Sequence, residues 1–128
     1  MGDPCILVID DEAAIAELIG DFCESMGYSV KTVTDSRDAL RMAKEFRPHL
    51  ITLDLQMPEV DGFELLRRFK ADPDTAGIPV IIVSVLAREV ERQGLLSAAQ
   101  AILSKPIDFR TLRERVDRYT TKDGAGPA

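Results

Sequence analysis

The chain has 128 residues, of which 45% are hydrophobic and 30% charged, and its formal net charge is −6. This length predicts one compact domain, and the composition is typical of a soluble globular protein. The acidic balance argues against direct binding to nucleic acid, because nucleic-acid-binding domains normally carry a basic surplus. No apolar stretch approaches the roughly 18 residues that a membrane span requires, and the start lacks the basic region of a signal peptide. We therefore expect a cytoplasmic protein with no membrane partner.

Strand and helix patterns alternate along the chain, which predicts a parallel sheet with helices on both faces. The segments that predict strands are residues 5–9, 28–33, 49–53, 79–83 and 101–104. A first helix between the first two strands ends at Gly27. Its apolar residues at helical spacing, which we expect to face inward, are Ile15, Leu18, Ile19, Phe22 and Met26.

The sequence signals for the other helices, which are capping residues and apolar stripes, differ in strength. Asp35 or Ser36 caps the second helix, the third follows Gly62, and Asp108 caps the fifth. Residues 88–96 predict a fourth helix with only a shallow apolar stripe. The predicted inner residues are Ala39, Leu40, Ala43 and Phe46 in the second helix, Leu66 and Phe69 in the third, and Leu112, Val116 and Tyr119 in the fifth. We expect residues 1–120 to form the domain and 121–128 to be a flexible tail or linker.

Polar side chains follow four of the predicted strands, at the point where each strand ends. Asp10 and Asp11 follow the first strand, Asp54 the third, Ser84 the fourth and Lys105 the fifth. Open α/β sheets bind their ligands at this carboxyl edge. Carboxylates a few ångströms apart repel by roughly 4 kcal/mol per pair, so they raise their pKa values or recruit a cation. Mg²⁺ prefers such oxygen ligands, and the sequence therefore predicts a magnesium site.

These residue types together indicate phosphoryl transfer. A metal, a carboxylate nucleophile, a hydroxyl donor and a fixed cation are what that chemistry requires, which makes Asp54 a candidate for an aspartyl phosphate. The alternatives are structural: Asp11 and Glu12 would cap the first helix, and Lys105 would be a surface lysine. His49 is the only histidine and lies at the opposite end of its strand from Asp54, so we expect a structural or solvent-facing role.

Several motifs occur in a fixed order: Ile9-Asp10-Asp11-Glu12, Asp54-Leu55-Gln56-Met57-Pro58, Asp61-Gly62, Val83-Ser84 and Lys105-Pro106. Through them the chain resembles the receiver domain of bacterial two-component response regulators, from about residue 5 to about residue 119. The resemblance implies a flavodoxin-like, doubly wound sheet of five parallel strands in the order 2-1-3-4-5 with five helices.

The resemblance also implies a role for each acidic residue. Asp54 would be the phosphoacceptor that attacks a phosphohistidine on a histidine kinase or phosphotransfer protein. Asp10 and Asp11 would hold Mg²⁺ together with Asp54, with Asp11 and Asp54 as direct ligands. The backbone carbonyl of Gln56 would complete the protein's share of the metal ligands.

For the remaining site residues, the resemblance implies that Ser84 donates a hydrogen bond to a phosphoryl oxygen and that Lys105 pairs with another. It further implies a cis peptide between Lys105 and Pro106, which costs only ~0.5 to 1 kcal/mol for an X-Pro bond. Phosphorylation would bias a face built from the fourth helix, fifth strand and fifth helix, which could also form a homodimer. The output would be a downstream protein or a fused domain. The protein would catalyse only its own phosphotransfer and hydrolysis.

Ile102 and Val85 depart from the usual pattern of that family. Ile102 stands where an aromatic side chain often reports phosphorylation, so the aromatic form of the switch is absent. Val85 follows Ser84, at a place where smaller side chains are common, and its bulk should narrow the approach to Asp54.

Two other functions share parts of this pattern. An aspartate-nucleophile phosphatase of the haloacid dehalogenase type would place its nucleophile after the first strand in an Asp-x-Asp pattern, whereas Asp10 and Asp11 are adjacent and no cap insertion is present. A phosphorylation-independent adaptor would use the fold only for binding. The intact acceptor, acid pair, hydroxyl and lysine argue against it.

Overall fold

The computed structural model describes residues 4–120, which form a five-stranded parallel sheet between two layers of helices. The strands are β1 (Cys5–Ile9), β2 (Ser29–Val33), β3 (Leu50–Leu53), β4 (Val80–Ser84) and β5 (Ala101–Ser104). They pair in the order β2-β1-β3-β4-β5. This confirms the predicted flavodoxin-like topology. The tail or linker predicted at 121–128 lies outside the described residues.

The helices are α1 (Ala13–Ser25), α2 (Ala39–Phe46), α3 (Gly62–Ala71), α4 (Glu89–Arg92) and α5 (Phe109–Thr120). Successive strand residues point to opposite faces, and β1 follows this rule. Ile6 and Val8 pack with α1 and α5, whereas Leu7 and Ile9 pack with α2, α3 and α4. Because β1, β3 and β4 are covered on both faces, their side chains are almost all apolar and buried.

The inner face of α1 differs from the prediction at one residue. Leu18 is 47% exposed, so its predicted burial was wrong. The buried residues of α1 include Ala16 and Gly20, and a Cβ built on Gly20 would meet Val30 Cγ1 at 3.2 Å. A helix that approaches the sheet this closely on small residues buries only a narrow stripe, and Leu18 falls outside it.

The fourth helix is shorter than predicted. It spans four residues, followed by a separate 3₁₀ turn at Leu96–Ala98. Gly94 has a φ of +70°, a left-handed conformation that an α-helix cannot continue through. Val90 is the one buried residue of α4. The shallow apolar stripe of the sequence therefore corresponds to little helix.

Of the two candidate caps for the second helical segment, Asp35 makes the capping bond. Its carboxylate accepts the N–H of Arg37 at 3.0 Å, at the start of a 3₁₀ turn (Ser36–Asp38) that leads into α2. Asp108 caps α5 as predicted, because its carboxylate accepts the N–H of Arg110 at 3.0 Å. Ser36 bonds elsewhere: its hydroxyl donates to the Pro58 carbonyl in the loop between β3 and α3.

We predict that Gly62→Ala destabilises the fold by about 2 kcal/mol, because overpacking at a rigid contact typically costs 1 to 3 kcal/mol. A Cβ at Gly62 would overlap the Asp54 carbonyl oxygen and the Leu55 Cα. Urea unfolding measures the change. Gly77→Ala is the matched control, since a Cβ there meets nothing within 4 Å. Equal stability of the two variants would contradict the close approach.

Candidate functional site

The polar residues that follow the strands meet at the carboxyl edge of the sheet, around a cleft of about 490 Å³. Its lining residues are Asp11, Glu12, Asp54, Gln56, Met57, Pro58, Val85 and Lys105. The predicted site residues Asp11, Asp54, Gln56 and Lys105 therefore share one cleft. Asp10 contacts Lys105 directly, and Ser84 does not line the cleft but is hydrogen-bonded to Leu55, the residue after Asp54.

Lys105 joins the two buried carboxylates. Its Nζ donates to Asp10 Oδ2 at 2.8 Å and to Asp54 Oδ2 at 3.1 Å, and lies 3.9 Å from Glu12 Oε1. Asp10 is 1% exposed and Asp54 4% exposed. Because a buried ion pair is screened little by solvent, these contacts are stronger than surface ion pairs. Lys105 is thus a buried residue of the site rather than a surface lysine.

Burial and neighbouring charges shift two pKa values in this cluster. Burial raises the pKa of Asp10, and the hydrogen bonds from Lys105 and from the Glu12 backbone offset this only in part. Burial lowers the pKa of Lys105, but its hydrogen bonds to Asp10 and Asp54 outweigh that effect, so the pKa lies above its ordinary value. The Lys105 side chain is therefore positively charged at neutral pH.

Backbone N–H groups hold the second oxygen of each buried carboxylate. Asp10 Oδ1 accepts from Glu12 N at 3.0 Å, and Asp54 Oδ1 accepts from Gln56 N at 3.1 Å. Glu12 occupies the N-cap position of α1 but makes no capping bond with its side chain. The Glu12 side chain therefore does not support the structural alternative in which Asp11 and Glu12 cap α1.

Ser84 is fully buried at the end of β4. Its Oγ accepts the N–H groups of Leu55 at 3.3 Å and Leu86 at 3.1 Å. A hydroxyl that accepts two bonds can still donate its proton. Ser84 therefore ties the β4 end to the loop that follows Asp54, one residue from that carboxylate.

Three carboxylates come close enough to share a metal ion. Ligand oxygens of Asp10, Glu12 and Asp54 lie within 4.8 Å of one another. An all-oxygen set of this kind fits Mg²⁺, which takes few protein ligands and keeps several waters. Asp11 lines the same cleft but is not in this group. Glu12 was not predicted as a ligand, although it is the third acid of the run Asp10-Asp11-Glu12.

Three further predictions concern single residues. The peptide bond between Lys105 and Pro106 is cis, as the resemblance implied. Val85 is 58% exposed and lines the cleft. His49 lies at the far end of β3, where its Nδ1 accepts the Cys5 N–H at 3.0 Å, which is a structural contact.

No helix within residues 4–120 has the length and apolarity needed to cross a bilayer.

Comparison with known proteins gives the class of the fold and site. Residues 6–117 match the response regulator receiver domain. The transcriptional regulator RpaA of Synechocystis is 39% identical over 114 residues, which are 88% of this chain and 47% of RpaA. The polar-differentiation response regulator DivK of Brucella anthropi is 31% identical over 115 residues, 89% of this chain and 94% of DivK.

A solved structure is also similar. The receiver domain of the Pseudomonas aeruginosa sensor histidine kinase PA1611, with a magnesium ion in its active-site cleft, has a TM-score of 0.82 and 27% identity, covering 94% of this chain and 99% of that one. The chain belongs to the response regulator receiver domain family, whose members act as phosphoacceptors in two-component signalling. The chain spans less than half of RpaA and 26% of the response regulator PleD of Caulobacter vibrioides.

We predict that Asp10→Asn stabilises the metal-free protein at pH 7. The raised pKa of Asp10 means that its carboxyl is harder to ionise in the folded than in the unfolded protein. The contribution of Asp10 to the free energy of unfolding is therefore most favourable below pH 3.8, the ordinary pKa, and declines as pH rises through the raised pKa of the folded protein. The gain should therefore shrink as pH falls towards 3.8. Urea unfolding at several pH values measures it, with Asp21→Asn on the exposed face of α1 as control. A pH-independent gain would contradict the burial argument.

Proposed function

We propose that Asp54 accepts a phosphoryl group from a phosphohistidine on a histidine kinase or phosphotransfer protein, in a Mg²⁺-dependent reaction. The observation that carries this proposal is the Lys105 ammonium, which is bonded to both Asp10 and Asp54 at the base of a cleft. Two buried carboxylates and one ammonium leave a net negative charge, which favours binding of a divalent cation.

Asp10, Asp11 and Asp54 would hold the metal together with the Gln56 carbonyl, and Glu12 is close enough to contribute. The metal would neutralise charge on the transferring phosphoryl group. A carboxylate oxygen of Asp54 attacks phosphorus, the bond from phosphorus to the imidazole nitrogen breaks, and that nitrogen keeps the electron pair. The reaction needs no other reactant. In this scheme the protein catalyses its own phosphotransfer and hydrolysis and is not a metabolic enzyme.

Lys105 and Ser84 stabilise the product. The phosphoryl oxygens add negative charge beside Lys105, whose ammonium can pair with one of them. The Ser84 hydroxyl proton can bond a second oxygen once the side chain turns towards the cleft. The backbone N–H of Lys105 donates to the backbone carbonyl of Ser84 at 3.2 Å. The ends of β4 and β5 should therefore move together.

The response reaches α4, β5 and α5 because both side chains lie at the ends of β4 and β5. Gln93, the residue that ends α4, accepts a side-chain hydrogen bond of 2.9 Å from Arg67 of α3. A one-turn helix such as α4 can rearrange at little cost in free energy. We propose this face as the output surface and possible dimer contact. A downstream protein or a fused output domain would read it, in the cytoplasm.

We expect Asp54→Asn to abolish base-labile labelling by a phosphohistidine donor with Mg²⁺, because the amide is not a nucleophile. Asp21→Asn should label like the unaltered protein, since Asp21 is exposed on α1. Radiolabel from a phosphorylated kinase measures both. Retained label in Asp54→Asn would place the acceptor elsewhere. Failure of the unaltered protein to incorporate beryllofluoride with Mg²⁺ would favour the adaptor function.

Val85→Ala should speed labelling by acetyl phosphate. Val85 lines the cleft beside Asp54, and a steric barrier of even ~1.4 kcal/mol would slow the reaction tenfold. Transfer from a kinase should change less, because docking energy offsets the steric cost. Leu96→Ala is a control, since Leu96 is similarly exposed (52%) but does not line the cleft. An unchanged acetyl phosphate rate at saturating Mg²⁺ would refute the steric argument.

A further inference from the structure

The loop between β3 and α3 forms one wall of the cleft. Gln56, Met57 and Pro58 of this loop line the cleft beside Asp54. The next residue, Glu59, has a φ of +68°, a conformation that non-glycine residues adopt only when their surroundings hold them there. The shape of this wall therefore depends on what fixes the loop.

Ser36 supplies a bond on each side of Glu59. Its Oγ donates to the Pro58 carbonyl at 2.7 Å and accepts the Val60 N–H at 3.0 Å. Within residues 4–120, no other side chain from outside the loop is hydrogen-bonded to the backbone of residues 57–60. One hydroxyl thus spans the left-handed residue and fixes the carbonyl of a residue that lines the cleft.

Ser36 is itself buried in a capped turn. It is 4% exposed and begins the 3₁₀ turn ahead of α2. Asp35 caps this turn and pairs with Arg37 at 2.8 Å. The loop wall is therefore fixed to the β2–α2 connection, an element that contributes no residue to the cleft.

From these contacts we propose that Ser36 is a positioning residue for the metal and phosphoryl site. Its hydroxyl fixes the loop backbone between Gln56 and Val60, which forms one wall of the cleft. Ser36 itself would contact neither the metal nor the phosphoryl group. This inference rests on the proposed function and adds to it a determinant outside the cleft. Its removal should therefore weaken Mg²⁺ binding, whereas removal of a buried hydroxyl elsewhere should lower stability alone.

The test compares two hydroxyl deletions in the full chain. Ser36→Ala removes the loop bond. Thr75→Val removes another buried hydroxyl, which donates to the Phe69 carbonyl at 2.7 Å, and neither residue lines the cleft. Urea unfolding measures stability, and calorimetric titration with MgCl₂ together with beryllofluoride incorporation measures the site. Ser36→Thr, which keeps the hydroxyl, serves as the rescue variant.

We expect both deletions to lower the urea midpoint, but only Ser36→Ala to weaken Mg²⁺ binding, by about threefold to tenfold for the loss of one hydrogen-bonded group. Ser36→Thr should restore affinity. If Ser36→Ala does not fold, Ser36→Cys takes its place, because a thiol fits the site but is a weak donor and acceptor. Equal Mg²⁺ affinity in Ser36→Ala and the unaltered protein, or equal losses in the two deletions, would overturn the inference alone. Absence of Mg²⁺ binding by the unaltered protein would overturn it together with the proposed function.

Discussion

The rest of the site depends on the hydrogen bonds from the Lys105 ammonium to the two buried carboxylates of Asp10 and Asp54. Lys105 neutralises one of the charges on Asp10 and Asp54, and Glu12 adds another carboxylate 3.9 Å from the ammonium. At an effective dielectric of about 20, like charges at 4 Å repel by roughly 4 kcal/mol. The folded protein thus holds an excess of negative charge in a cleft, and hydrophobic burial elsewhere in the sheet offsets that cost. A divalent cation in the cleft would relieve this repulsion directly.

The strand order explains why these side chains can meet. Asp10 and Asp54 follow β1 and β3, which are adjacent, whereas Lys105 follows β5, two strands beyond β3. Neighbouring strands lie about 4.8 Å apart, so the lysine must reach across the end of β4. Ser84 stands at that end, and its small side chain is turned towards the backbone of Leu55 and Leu86. For the ammonium to reach Asp54, the site therefore needs both a long side chain after β5 and a small side chain at the end of β4.

Much of this arrangement could be predicted from sequence because buried strands end at conspicuous polar residues. Apolar runs located the strands, and the next residue located the site. Leu18 and α4 could not be predicted as well, since helical spacing does not tell how wide a stripe the sheet covers. Glu12 was missed because its place next to α1 suggested a helix-capping role. Ser36 was weighed as a cap, but its bond to Pro58 joins residues 22 positions apart, and no local pattern encodes that distance.

The division between fixed and movable parts follows from burial. β1 and β3 lie inside the sheet, and the residues that precede Asp10 and Asp54 are fully covered on both faces. β5 is an edge strand with half-buried side chains at Ile102 and Leu103, and α4 buries only Val90. Local opening costs least where few apolar contacts are lost. The carboxylates are thus attached to the buried centre of the sheet and the ammonium to its edge, so in the proposed mechanism a change of charge at Asp54 would move Lys105 and β5 rather than the acids.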